Sequence, residues 1–125
     1  MLPEVRLAQR LVERRMLRPP IDVENLLQDY AVVEYVDFPV KIDGLCLDLK
    51  VTGKKPTVLV NRESYPTRRR FTLAHELGHV LIPLHLGCVI GEIDVSDISG
   101  DSYYQMASEA NRFASELLMP KNWGG

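Results

Sequence analysis

Cysteine is scarce in this sequence. Cys46 and Cys88 are the only two among 125 residues, and neither belongs to a Cys-x-x-Cys pair, which excludes a zinc ribbon or a dithiol redox motif. Two free thiols in a reducing compartment is the reading they support. Net charge is scarce as well. Fifteen basic residues face 17 acidic ones for a formal charge of −2, so no global field draws the chain to nucleic acid or to a membrane surface. Long apolar runs are missing too: Leu2 to Arg18 carries five arginines, where a signal peptide or spanning helix needs an apolar stretch. A cytoplasmic location is expected. Repeats, low-complexity tracts and linkers are also missing, so residues 1–125 are read as one domain. Helices occupy 1–30, a sheet 31–61, and two further helices with an intervening loop 66–120. Apolar residues are not lacking; at 46%, against 26% charged, they suffice for a packed core without staples.

Periodicity divides the chain into elements. Glu4 to Leu17 predicts an amphipathic helix with Val5, Ala8, Val12 and Met16 on one stripe, Leu11 flanking it, and Arg6, Arg10 and Arg14 on a solvated face. Pro19-Pro20 stops it, and Asp22 can cap a second helix, Val23 to Tyr30. A helix-turn-helix reader of DNA is set aside, because Asp22, Glu24 and Asp29 would face phosphates with the wrong charge. Three strand-like stretches follow, Ala31 to Phe38, Leu45 to Val51 and Thr57 to Asn61, with turn chemistry at Asp43-Gly44 and Gly53. Leu45, Leu47 and Leu49 alternate, which predicts a buried leucine face with Cys46 and Asp48 on the other. A helix is predicted from about Pro66 through Ile82, capped by Ser64 or Thr67 and ended by Pro83. Leu86 to Asp101 reads as an acidic, glycine-punctuated loop with a short strand or hairpin. Tyr103 to Met119 is the last helix, ended by Pro120.

The chemistry concentrates in Phe71-Thr72-Leu73-Ala74-His75-Glu76-Leu77-Gly78-His79. Histidines four apart on a helix lie one turn above each other on the same face. Their imidazoles can converge on one ion and supply half of a tetrahedral zinc site. Glu76, beside the first histidine, is placed to take a proton from a water activated by the metal. A solvent-facing histidine pair is the bland alternative. The strongly apolar helix around them, and the cost of about 1 kcal/mol for Gly78 in a helix interior, favour the metal reading.

A catalytic zinc needs a third protein ligand and one open position. His85, Glu92, Asp94, Glu109 and Glu116 are the downstream candidates. His85 follows the helix-breaking proline too closely to swing back, and Glu92 and Asp94 lie in a loop, a poor platform for a ligand. Glu109 and Glu116 share a helix face, and small Ala107, Ser108 and Ala110 would let Glu109 approach the zinc helix. For the group that stabilises the developing oxyanion, His85, Tyr65, Tyr103 and Tyr104 are candidates by type, with His85 preferred. Arg68, Arg69 and Arg70 oppose the dipole at a helix N-terminus and are expected to be solvated or paired with the acidic loop.

The segments Arg70 to His79 and Glu109-Ala110-Asn111-Arg112-Phe113-Ala114-Ser115-Glu116-Leu117-Leu118-Met119-Pro120 together resemble the ImmA/IrrE metallo-endopeptidase family, as does Pro20-Ile21-Asp22-Val23-Glu24-Asn25-Leu26. The resemblance is strong from about Val58 to Pro120. It implies a minimal gluzincin-like α+β fold, in which a small, mostly antiparallel sheet packs on the zinc helix and on a second ligand-bearing helix. It implies Zn2+ held by His75, His79 and Glu109, with Glu76 as general base. The implied partner is a protein substrate, a helix-turn-helix repressor or antitoxin of a mobile element or stress response, with no direct nucleic acid or membrane contact. Many members carry a further domain; none is visible here, as expected of a minimal or truncated member. A peptide substrate is expected to add as a strand at the sheet edge. The rival readings are a zinc-bearing module that docks a transcription regulator without cutting it, and a structural domain whose histidines hold no metal.

Overall fold

The structure, a computed structural model, describes the backbone of residues 1–90 and 100–119 and the side chains of 1–87 and 104–119. Glu92, Asp94, Asp97, Pro120 and the side chains of Cys88, Asp101 and Tyr103 lie outside the described residues. The elements run α1 (Pro3–Arg14), α2 (Val23–Gln28), β1 (Val32–Val36), β2 (Gly44–Leu49), β3 (Thr57–Asn61), α3 (Pro66–Leu81), β4 (Gly87–Ile90) and α4 (Gly100–Leu118). This is the α+β architecture expected.

The first helix is shorter than its periodicity suggests. It ends at Arg14, and Met16 takes the left-handed conformation at φ 50°. Met16 therefore leaves the apolar stripe and is exposed, while Leu11 joins Ala8 and Val12 in the core. Glu4 is buried on the same face, where its Oε1 accepts from Arg112 Nε of α4 at 2.9 Å. The second helix begins as expected, with the Asp22 carboxylate accepting from Asn25 N–H at 3.1 Å. That bond satisfies one of the orphan amides of the first turn.

The sheet order is β1-β3-β2-β4. β3 pairs parallel with β1, and β2 pairs antiparallel with both β3 and β4. The sheet is thus mixed, because β3 inserts between the two strands that precede it. Asp43-Gly44 makes no hairpin turn; Gly44 opens β2 instead. A Cβ on Gly44 would stand 3.0 Å from Thr72 Cγ2 and 3.1 Å from the Leu59 carbonyl oxygen. The glycine lets β2 lie close against α3. Gly53, at φ 75°, does serve the turn between β2 and β3.

The buried face of β2 is not the leucine face. Gly44 and Cys46 point at α3 and are buried, whereas Leu45 and Leu47 are half-buried. The register then slips between Cys46 and Leu49, with Asp48 and Lys50 at φ 59° and 60°. The slip returns Leu49 to the interior, since a one-residue shift moves side chains to the opposite face.

α3 starts on Pro66, with Tyr65 as an N-cap that makes no side-chain bond, so neither Ser64 nor Thr67 caps it. Proline suits the first helical position, where its missing amide hydrogen would have no partner. Ile82 is already extended and closes the helix ahead of Pro83. α4 packs along α3 through Ala110, Phe113, Ala114 and Leu117, all fully buried. Their i, i+3, i+4, i+7 spacing is the apolar stripe of a core-facing helix. The closest approach lies at Gly78, where a Cβ would meet Ala110 Cα at 3.2 Å.

The arginines at the start of α3 serve as struts. Arg68 donates to both Asp43 carboxylate oxygens, at 2.6 and 2.7 Å. Arg69 lies over the Tyr35 ring at 5.2 Å, and Arg70 donates to the Ile21 carbonyl. No helix among the described residues is long and apolar enough to cross a membrane.

Candidate metal centre

The i, i+4 spacing on α3 brings His75 Nε2 and His79 Nε2 to 3.0 Å from each other. Glu76 joins them; one ligand atom from each of the three lies within 4.8 Å of the others. His75 is on the open side, whereas Glu76 and His79 are buried at 2% and 1% exposure.

Both histidines are fixed through their far nitrogens. Asn111 of α4 presents Oδ1 at 2.7 Å from His75 Nδ1. A carbonyl oxygen only accepts, so His75 carries its proton on Nδ1 and keeps a lone pair on Nε2. A second chain ends the same way. Glu109 Oε1 is 2.8 Å from His85 Nε2, and His85 Nδ1 is 2.9 Å from His79 Nδ1. With Glu109 ionised, His85 donates from Nε2 and, when neutral, accepts at Nδ1 from His79 Nδ1–H. His79 Nε2 then also carries a lone pair. Two lone pairs facing each other at 3.0 Å repel unless a cation lies between them. Two nitrogens on a tetrahedral zinc, each at about 2.0–2.1 Å, stand about 3.3 Å apart. The donor set therefore fits a metal ion, and His75 and His79 are the residues that would hold it.

Glu76 divides its two oxygens. Cys46 Sγ stands 3.1 Å from Oε2, while Oε1 lies 3.9 Å from His75 Nε2, on the side of the ligand nitrogens. Burial pushes the Glu76 carboxyl up to about 8, against a smaller opposing effect of the Cys46 hydrogen bond. Burial also lowers His79, to about 2, reinforced by its neighbours His75, His85 and Lys50, and lowers His75 and His85. Neutral imidazoles are the form a metal requires.

These shifts dictate how the metal-free chain responds to pH. Below 6.5 an unfolded histidine gains a proton that folded His79 refuses, so the depressed groups remove stability as pH falls. Above 4.5 an unfolded glutamate ionises while folded Glu76 stays protonated to about 8, which removes stability as pH rises. Urea unfolding of the chelator-treated chain should show greatest stability in the window between about 4.5 and 6.5, where the two trends oppose, with decline on both sides. In Glu76→Gln the alkaline decline should vanish; its persistence would mean that another group causes it.

The other predicted residues divide. Glu109 faces the site from α4, yet its carboxylate stands outside the group of three and is joined to it through His85. Glu116 is turned away, buried against α1, where it accepts from Gln9 Nε2 at 3.2 Å. His85 does swing back toward the site, contrary to expectation, because the turn after Pro83 folds under α3 with His85 N–H donating to the Ile82 carbonyl at 3.1 Å. It comes to rest behind His79 at 1% exposure. Tyr65 is exposed at the start of α3, ten positions before His75 and so roughly 15 Å along the helix axis. Tyr104 is exposed on α4.

Three residues escaped the sequence reading. The leucine alternation puts Cys46 on the outer face of its strand, whereas it is buried. Asn111 carried a weak signal, as a poor helix former inside a helix. Lys50 carried none: its Nζ donates to the carbonyl oxygens of His79 at 2.9 Å and His85 at 2.8 Å, across a register slip that no pattern announces.

The geometry agrees with what comparison of the sequence shows. The model of the M78 peptidases, described as the IrrE N-terminal-like domain, matches residues 32–122. A comparison with curated proteins gave no match. The match spans β1 through α4 and contains every residue of the cluster. Membership supports an activity of the metallopeptidase type, and the chain belongs to the IrrE N-terminal-like peptidase family.

Proposed function

We propose that this domain is a zinc-dependent endopeptidase that cuts a protein partner, a helix-turn-helix repressor or an antitoxin. The observation that carries the reading is the convergence of two tautomer-fixed histidines beside a buried carboxylate with one oxygen anchored and the other facing the ligand nitrogens. His75 and His79 would hold the metal, and Glu109, on α4, would be the third ligand. The ion would supply a Lewis acid that polarises the peptide carbonyl and lowers the pKa of water.

The chain's own residues do the remainder. Glu76 Oε1 accepts the proton of the attacking water and then delivers it to the departing amine nitrogen. Cys46 holds Oε2, so the carboxylate does not swing away between the two transfers. Burial keeps Glu76 protonated in the metal-free chain, and a dication beside it would favour the ionised carboxylate that a base requires. The peptide lies along β4, one of the two terminal strands in the sheet order and the one that begins at Gly87, two residues after His85.

Cleavage of co-purified or genetically neighbouring regulators, followed by mass spectrometry, tests this reading. Product should appear with Zn2+, disappear when a chelator strips the metal, and return on adding Zn2+ back. Intact regulator bound stably to the zinc-loaded chain would instead favour a docking module that does not cut.

A further inference from the structure

We infer that His85 is a positioning residue that ties two metal ligands, His79 and Glu109, to each other from behind, with Lys50 fixing it from the backbone side. The inference rests on the reading of those two residues as ligands. His79 sits on α3 and Glu109 on α4, and among the described contacts His85 bridges the two. Its Nδ1 is 2.9 Å from His79 Nδ1 and its Nε2 is 2.8 Å from Glu109 Oε1.

The geometry leaves His85 little else to do. Both ring nitrogens are engaged and the side chain is 1% exposed. A donor to the developing oxyanion must face the reacting carbonyl with a hydrogen to spare, and this ring has none. Its value is in the tautomer and the aim of its neighbours. Accepting from His79 Nδ1–H keeps the His79 Nε2 lone pair directed at His75. Donating to Glu109 Oε1 fixes that carboxylate's rotation and leaves Oε2 for other partners. Hydrogen bonds of this kind behind a metal ligand orient the ring and raise its basicity, and losing one weakens metal binding by about 10–100-fold.

Lys50 explains how a residue beyond a helix-breaking proline is held so firmly. Its ammonium bridges the carbonyl oxygen of His79, at the end of α3, and that of His85, in the following turn. The first is one of the orphan carbonyls of a helix C-terminus. The left-handed conformation of Lys50, φ 60°, belongs to the slip in β2 that carries the side chain under this turn. One cation thus fastens both backbone segments whose imidazoles must stay in contact.

The test uses the full chain with Zn2+ alone as ligand. Affinity is measured by competition with a chromogenic chelator for wild type, His85→Phe, His85→Gln and Lys50→Met. Phenylalanine fills the space without hydrogen bonds and should weaken zinc binding by about 10–100-fold. Glutamine keeps one donor and one acceptor and should recover most of that loss. Lys50→Met should weaken binding by several-fold on the same scale. A purely packing role predicts the reverse order for phenylalanine and glutamine, and that order would overturn the tie, as would Phe binding within about twofold of wild type.

NMR of the 15N-histidine-labelled chain supplies the second readout. A scalar coupling across the hydrogen bond should link His79 Nδ1 and His85 Nδ1. Its absence in wild type overturns the tie even if His85→Phe fails to fold. Wild type that takes up no zinc would sink the metal-centre reading instead, while the coupling in the metal-free chain still decides the contact. If Glu109→Ala leaves zinc affinity unchanged, Glu109 is not a ligand, and the bridge between two ligands falls with it.

Discussion

Replacing Glu76 with glutamine is expected to lower peptide cleavage by about 10²–10⁴-fold, the usual contribution of a positioned general base, while leaving zinc binding in place. The separation follows from the geometry. His75 and His79 meet at 3.0 Å through nitrogens whose tautomers are set by Asn111 and His85, neither of which touches Glu76 in the described contacts. Glutamine has the shape of glutamate, and its amide oxygen can still accept from the Cys46 thiol that stands 3.1 Å from Oε2. What it cannot do is accept and return a proton. The same change should stabilise the metal-free chain above about pH 8, where wild-type Glu76 carries a buried charge. Cleavage retained within about tenfold, on a substrate whose products disappear with chelator, would remove Glu76 from the role of base. Lost cleavage together with lost zinc would make it a structural support of the site instead.

How much of this was legible beforehand depended on whether the signal was local. His75, Glu76 and His79 are neighbours on one helix, and a period of 3.6 places them without knowledge of anything else. The helices and three strands were readable for the same reason, and Pro83 and Asp22 marked boundaries by their own chemistry. Failures came where position depends on a distant segment. β3 pairs parallel with β1 and so separates β1 from β2 in the sheet, a choice that no local pattern encodes. The leucine alternation in β2 pointed to the wrong face, because the strand must present Gly44 and Cys46 to α3 for Glu76 to be seated. Glu4 and Glu116 are both buried in the contact between α1 and α4, a pairing of distant helices that neither helix's own pattern announces. Distance along the chain argues against His85, whereas Lys50 and the turn after Pro83 decide where it goes. The family resemblance supplied Glu109 by motif, yet only the fold shows that Glu109 and Asn111, two residues apart on α4, each anchor a different histidine chain.

The seam between α3 and α4 sets those anchors, so a single added side chain there should damage stability and metal binding together. Gly78→Val is the sharpest such change. A Cβ at this position would already stand 3.2 Å from Ala110 Cα, 3.2 Å from Phe113 Cδ1 and 3.4 Å from Ala110 Cβ. The first of these is backbone and cannot move aside by changing rotamer. For Gly78→Ala two effects of about 1 kcal/mol oppose: helix propensity gains that much, and the tight contact takes back a similar amount or more. Valine adds two methyl groups with no space to enter, and its branched side chain has little rotamer choice in a helix. Overpacking of this kind costs about 1–3 kcal/mol, and more where backbone must shift. For a chain of this size that corresponds to a fall in Tm of roughly 10 °C. Ala110 lies between Glu109 and Asn111, so pushing α4 outward draws both anchors away from His85 and His75. Zinc affinity should therefore fall in Gly78→Val even at temperatures where the chain remains folded. Differential scanning calorimetry and chelator competition on the two variants check this. A valine variant with wild-type Tm and wild-type zinc affinity would mean that α4 does not rest on α3 at this glycine, and that the histidine chains anchored on α4 do not set the metal site.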